Sequence, residues 1–187
     1  MSTRRGWSFR IGFLAFSLLS SIARADPAED MALGEAAFNR EDLPVAISFL
    51  TKAAKQGYAP AQVRLGEIMD VSEYDKDAVD WYRKAAEQGD AAGEDHLGRM
   101  YIVGEGVEKN AEKALYWLKR AAEKDYPLAV GTLAQAYLKG ELGLTIDLVQ
   151  AKLLEDRARI LKAAARRADA KKAAEKAAAI KAAEKTK

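Results

Sequence analysis

The chain repeats itself. Leu33-Gly34, Leu65-Gly66, Leu97-Gly98 and Leu133-Ala134 are spaced by 32, 32 and 36 residues. Lys52-Ala-Ala-Lys-Gln-Gly, Lys84-Ala-Ala-Glu-Gln-Gly and Arg120-Ala-Ala-Glu-Lys-Asp follow with steps of 32 and 36. Phe49, Trp81, Trp117 and Leu154 take one equivalent position, and small residues recur at Ala46, Ala78, Ala114 and Ala151. A period of this length is one supersecondary unit that cannot bury its apolar face alone, so stacked neighbours must bury it together.

Each period reads as two helices. Asp26-Pro27 offers an N-cap and a proline at the first helical position. Met31, Leu33, Ala37 and Phe38 then recur at helical spacing. A second helix carries Ala46, Phe49, Leu50, Ala53 and Ala54 and stops at Gly57. The same alternation continues with Asp75, Asp90 and Asn110 as predicted caps, and a loop over 140–145 leads to Asp147 and the last helix. Much of the apolar share is alanine, proline is scarce, and runs of β-branched residues are missing. The prediction is an all-α solenoid of about four helix-turn-helix repeats with a long C-terminal helical tail. Its domains are a leader over 1–25, repeats over 26–160 and a tail over 161–187. The units fall near 28–58, 59–89, 90–125 and 126–160. Trp81 and Trp117 are expected to fill the space between the helices of a unit and the next unit.

Residues 97–122 carry a sharper pattern. They read Leu-Gly-x-Met-Tyr-x-x-Gly-x-Gly-Val, then Asn-x-x-Lys-Ala-x-x-Trp-x-x-Arg-Ala-Ala. This resembles the Sel-one-like repeat, a relative of the tetratricopeptide repeats. Residues 129–158 follow it with one extra loop residue. Residues 61–89 lack the Gly-x-Gly-Val loop and look like an ordinary tetratricopeptide, and 31–57 match weakly. The resemblance implies a right-handed solenoid whose first helices line a concave groove. It places Glu35, Phe38, Val63, Glu67, Asp70, Asp95, His96, Arg99, Ile102, Gln135 and Leu138 on that face. Acidic walls at Glu67, Asp70 and Asp95, with apolar spots at Ile102 and Leu138, would favour a basic or amphipathic peptide. The carboxylate-clamp form of the family needs basic and amide groups where this chain has Met31 and Glu35.

The ends of the chain differ from its middle. Arg4, Arg5 and Arg10 precede an apolar run from Ile11 to Ile22, and Ala23-Arg24-Ala25 follows. That is the layout of an export signal cleaved near Ala25, too short in its apolar part for a stable membrane span. Thr3-Arg4-Arg5-Gly6-Trp7 also fits a twin-arginine signal, so general and twin-arginine export both remain open. A periplasmic or secreted protein is expected. Loss of the leader's four arginines lowers the net charge from +2 to −2. The remainder is polarised: residues 61–95 carry 10 acidic and 4 basic side chains, and 157–187 carry 11 basic and 3 acidic. Within the tail, Arg166, Arg167, Lys171, Lys172 and Lys176 form an electrostatic cluster suited to an anionic surface. A solvated extension is the other reading. Export and the lack of aromatics in the tail argue against nucleic acid.

Little in the sequence points to catalysis. There is no cysteine, which removes disulfides, thiol chemistry and Cys-ligated zinc. His96 is the sole histidine, read as a polar residue facing the groove. Glu67 and Asp70 share a helix face, but an open solenoid does not readily raise the pKa of one carboxyl. The Gly104-Glu105-Gly106 loop follows a helix and lacks the Gly-Lys-Ser/Thr of a phosphate loop. No cofactor and no metal are expected, and the chain is read as a non-enzyme. The leading function is a protein–protein interaction scaffold of the bacterial envelope that holds a partner segment in the groove. Anionic-surface binding through the tail is the first alternative. An envelope hydrolase of the β-lactamase type is the second, although the family members credited with it are cysteine-rich. Oligomeric state is not encoded in any of these features.

Overall fold

A computed structural model of the chain describes residues 26–185. The leader-like segment 1–25, with its expected cleavage near Ala25, lies outside the described residues, as do 186 and 187. The described chain is all helical: α1 (Pro27–Phe38), α2 (Leu43–Lys55), α3 (Ala59–Val71), α4 (Asp75–Glu87), α5 (Ala91–Val103), α6 (Ala111–Glu123), α7 (Pro127–Lys139) and α8 (Leu148–Lys185). Each helix packs on the next, in four antiparallel pairs that stack as a solenoid. Two first helices, α3 and α5, also touch each other directly. The free side of the first helices is the inner face that the resemblance implies.

The caps come mainly from the predicted residues. Asp26 accepts from the Ala28 amide at 2.9 Å, Asp90 from Gly93 at 2.9 Å and Asn110 from Lys113 at 2.8 Å, and Asp147, which was not predicted as a cap, accepts from Gln150 at 2.9 Å. Each bond satisfies one orphan donor of a first turn. Asp75 is the exception: it is the first residue of α4, and Tyr74 holds the cap position without a side-chain bond. The preceding turn is tight. Glu73 is left-handed at φ 62°, and the Tyr74 amide bonds the Met69 carbonyl at 2.9 Å, so the helix begins one residue early.

Within each of the first three pairs, the second helix lays one side chain on the glycine of the first. Leu50 sits on Gly34, Tyr82 on Gly66 and Leu118 on Gly98, and all three are fully buried. A Cβ on Gly34 would lie 2.7 Å from Leu50 Cγ, one on Gly98 3.0 Å from Leu118 Cγ, and one on Gly66 would overlap the Tyr82 ring. Trp81 and Trp117, expected to fill this space, lie one residue earlier and are only half-buried. One residue along a helix is a rotation of about 100°. That turns each tryptophan away from its own partner helix and back onto the core of the preceding pair. Lys84 Nζ lies 3.9 Å over the Trp81 ring, and the Arg120 guanidinium 5.0 Å from that of Trp117.

A second column, of polar residues, clasps the ends of the second helices. Asp30 holds Lys52 at 2.8 Å and Gln56 at 3.4 Å. Gln62 donates to the Ala54 carbonyl at 3.0 Å and accepts from Gln88 at 2.7 Å. Glu94 binds Lys124 at 2.6 Å and Arg120 at 2.9 Å. In the fourth pair the same positions hold Val130 and Leu161, which pack together in the last core cluster.

The fourth pair also changes register. Its loop is one residue longer, so the capping residue steps by 37, from Asn110 to Asp147, not by 36. Ala151, Leu154 and Ala158 thereby match Ala114, Trp117 and Ala121, and Glu155 takes the place of Leu118. From Lys162 to Ala179 every residue of α8 is exposed. At a rise of about 1.5 Å per residue, α8 is about 57 Å long. Among the described residues no helix is long and apolar enough to cross a membrane.

Candidate binding face

The repeat period places the inner-face residues in four columns along α1, α3, α5 and α7. One column runs Met31, Val63, Asp95, Gly131; the next Ala32, Arg64, His96, Thr132; then Glu35, Glu67, Arg99, Gln135; then Phe38, Asp70, Ile102, Leu138. The third column changes sign along its length, from two glutamates to an arginine and an amide.

At the N-terminal end these side chains engage each other. Arg64 Nε donates to Glu35 Oε1 at 2.7 Å, and its Nη1 donates to Glu67 Oε2 at 2.9 Å. The same guanidinium lies 4.2 Å from the centre of the Phe38 ring. Glu67 Oε1 is 3.5 Å from His96 Nε2. The His96 ring stacks on Tyr82 with centroids 4.5 Å apart and planes within 8°, and the Tyr82 hydroxyl donates to Asp70 Oδ2 at 3.4 Å. Three units are thus joined by one chain of contacts. His96 above all, with Arg64, holds the Glu67 carboxyl below its ordinary pKa, against the opposing effect of burial. Burial first, then the charges of Asp70 and Glu67, push the Tyr82 phenol far up.

The expected acidic wall is therefore not a free one. Glu35 and Glu67 share the one cation Arg64, and Asp70 meets Tyr82. Asp95 is fully buried, with neither carboxylate oxygen hydrogen-bonded. It does not present a charge to a partner, because its position faces the packed interior where the equivalent Val63 is also buried. Burial raises the Asp95 carboxyl above its ordinary pKa, and His96 and Arg99 offset part of that rise. The neighbouring Tyr126 phenol is pushed up to about 12, by burial and then by the Asp95 charge. His96 is likewise no plain surface residue, being mostly covered between Tyr82 and Glu67. Among the other expected positions, Phe38 and Ile102 are half-buried, and Arg99, Gln135 and Leu138 are exposed.

Two open recesses lie on this face. One of about 250 Å³ is floored by Met31, Pro60 and Val63 beside Arg64 and Glu67. A larger one of about 770 Å³ opens at the C-terminal end, where α7 meets α8 and the tip of Arg99. Its floor is Leu128, Gly131 and Ala158, with Thr132 and Gln135 beside them. Its walls carry Arg99, Arg159, Lys162 and Arg166 against one acid, Glu155. Of the expected tail cluster only Arg166 lines this recess. Arg167, Lys171, Lys172 and Lys176 stand on α8 in solvent. Arg64, Tyr82, Glu155, Arg159 and Lys162 were not among the sequence-predicted site residues. Arg64 was legible: it stands one period before His96. Glu155 required the register shift of the last loop. Among the described residues no group of three or more His, Asp or Glu is placed to hold a metal ion.

The Sel1 repeat matches this sequence at residues 39–58, 59–90 and 91–126. The fourth unit read from the sequence lies outside that match, although α7 and the start of α8 form the same kind of helix pair. A Sel1 repeat protein from Oxalobacter formigenes has a similar solved structure, at 32% identity and a TM-score of 0.67, over 72% of this chain and 58% of that one. So has a protective antigen present in uropathogenic Escherichia coli strains, displaying an SLR fold, at 34% identity and a TM-score of 0.67 over 74% and 31%. The chain thus spans well under two thirds of either structure's length. No curated protein matches it.

Proposed function

From the premise that this chain is a Sel1-like repeat protein, we propose that it is a non-catalytic scaffold that holds a segment of a protein partner along its inner face. Sel1 repeats generally mediate protein–protein interaction. The observation that carries the reading is the continuous face of α1, α3, α5 and α7 with its open recesses. The contacts of Arg64 and His96 tie three units into one fixed surface, which limits the ordering cost of binding. The leader-like sequence supports action in the bacterial envelope after export.

The test is capture from an envelope extract with tagged protein. A stoichiometric partner should be retained by the wild type and by a Glu112→Lys, Lys119→Glu control on exposed positions of α6. It should be lost with Ile102→Gln and Leu138→Gln, which change the inner face outside the large recess. Retention by the inner-face variant and loss by the control would overturn the reading. A second reading, contact of the tail with an anionic surface, is supported by the exposure of α8 from Lys162 to Ala179. Deleting 168–187 would then abolish binding to phosphatidylglycerol vesicles and leave the captured protein unchanged.

A further inference from the structure

We infer that the recess between α7 and α8 takes an acidic, apolar-anchored peptide segment of a protein partner, not the basic segment that the acid-rich middle of the chain suggests. This deepens the scaffold reading and rests on it.

Three observations meet at this place. The first is a net charge opposite to that of the acid-rich middle. Four cations, Arg99, Arg159, Lys162 and Arg166, face one carboxylate, Glu155. Among the described residues Arg99, Lys162 and Arg166 have no carboxylate within ion-pair distance, and only Arg159 is bridged, to Asp156 at 2.7 Å. At the other end of the same face, Arg64 is matched by Glu35 and Glu67. Arg99, Lys162 and Arg166 are therefore available to a ligand, and Arg64 is not.

The second observation is why the recess exists. In units one to three a leucine or tyrosine of the second helix fills the space on the first. In unit four Glu155 stands at that position, and Leu154, Ala158 and Leu161 pack on α7 instead. The open place lies one turn away, at Gly131, which takes the position of the buried Asp95 and adds no side chain. A Cβ placed on Gly131 would have no closer neighbours than Lys162 Nζ at 3.9 Å and the Ala158 Cβ at 4.0 Å. The floor is apolar and its centre is bare backbone.

The third is shape. The cations rim a concavity of about 770 Å³, beside which Thr132 and Gln135 offer a hydroxyl and an amide. A bilayer surface cannot enter a recess between two helices, whereas a side chain carried on a peptide can. Nucleic acid would look for stacking partners, and no aromatic residue lines the recess. Apolar anchors on the floor and carboxylates at the rim satisfy every part of the lining, with the backbone of the segment within reach of Gln135.

The probe is a fluorescein-labelled amphipathic peptide with leucine on one face and glutamate on the other, titrated by anisotropy into the full chain. Saturable binding is expected. It should weaken about tenfold or more with Arg159→Glu plus Lys162→Glu, since each lost charge contact contributes of the order of 1 kcal/mol. Gly131→Phe should block the floor to a similar extent. Because that substitution could disturb α7, thermal melting accompanies it, and the charge reversal on exposed residues stands as the independent variant. Arg167→Glu plus Lys171→Glu, outside the recess, should leave affinity within about twofold in moderate salt, where distant charges are screened.

Several results would overturn the proposal. They are equal affinity for a lysine-bearing version of the peptide, insensitivity to both recess variants, competition by phosphatidylglycerol vesicles or a single-stranded oligonucleotide at equal strength, or concentration-dependent self-association that the recess variants abolish. The envelope-extract experiment separates this inference from its premise. A partner that is captured, lost with Ile102→Gln and Leu138→Gln, and kept by the recess variants leaves the scaffold reading standing and removes this one.

Discussion

The third and fourth units are both helix pairs, and two pairs of contacting positions are filled differently in them. Where unit three has Glu94 with Lys124, unit four has Val130 with Leu161. Where unit three has Gly98 under Leu118, unit four has Ala134 and Glu155. Unit three is held by a buried ion pair and a side chain set on a glycine. Unit four is held by apolar contact along its helices, with Leu133, Ala134, Leu154 and Ala158 buried together. A solenoid transmits its fold through nearest-neighbour contacts. Among the described residues the fourth unit packs on a neighbour on one side only. There Gly131 takes the place of the buried Asp95, and the cations of α8 stand around the recess beside it.

The largest expected effect comes from the buried carboxylate. Glu94→Ala removes the acceptor of Lys124 and Arg120, both of which keep access to water, and should cost about 2–3 kcal/mol in urea unfolding. Glu94→Val with Lys124→Leu copies the fourth unit and should recover most of that loss. If the copy is as unstable as the single variant, the two clasps are not interchangeable and the comparison breaks.

Gly98→Ala copies the other divergent position. The new Cβ would lie 3.0 Å from Leu118 Cγ, and the shift it forces should cost about 1–3 kcal/mol. In a Leu118→Ala background the same change should cost little or favour the helix, because the obstructing side chain is gone. A penalty that is equal in both backgrounds would mean that Leu118 is not what requires the glycine.

Asp95 and Gly131 form the next contrast, a buried orphan carboxylate against bare backbone. The folded-state pKa of Asp95 is raised, so the folded chain binds a proton more readily than the unfolded one. Its ionised form destabilises above the unfolded pKa, and the penalty is relieved as pH falls through the folded value. Asp95→Asn should therefore raise stability at pH 7 by about 1–2 kcal/mol, and the gain should shrink on acidification. A constant difference across pH would show that Asp95 does not titrate as an isolated buried acid.

The smallest effect is expected at Glu67. Its folded-state pKa is lowered, so its contribution is present above the unfolded pKa and fades as pH falls through the folded one. Glu67 is partly exposed, and Glu67→Gln should cost no more than about 1 kcal/mol at neutral pH. Loss of that cost in acid, checked by thermal melts at several pH values, would confirm the contact with Arg64 and His96. A cost that persists in acid would assign it to packing.

Much of the fold was legible because a repeat is a one-dimensional signal. Equal spacing of Leu-Gly pairs fixes the unit, and Asp26, Asp90 and Asn110 mark helix starts by local chemistry alone. The site was legible by column but not by role. Arg64 sits one period before His96, yet its bond to Glu35 crosses from α3 to α1, while that to Glu67 stays within α3. Trp81 draws attention by size, while the buried side chain is Tyr82, because helical phase and not bulk decides which residue meets Gly66. Asp95 reads as a charged wall residue in a count of acids, and packing places it where no partner reaches it.

Sequence by itself determined the helix pairs, their period, the all-α stack and the opposed charges of the middle and the tail. These depend on residue spacing, end-capping and composition, all of which act within a few turns of chain. Tertiary structure decided which charges are already paired, which carboxylate is buried, and that the last unit is open. Those depend on distances between helices 20 to 40 residues apart. There, a glycine at 131 in the place of the buried Asp95 leaves the space beside Ala158 open as a recess.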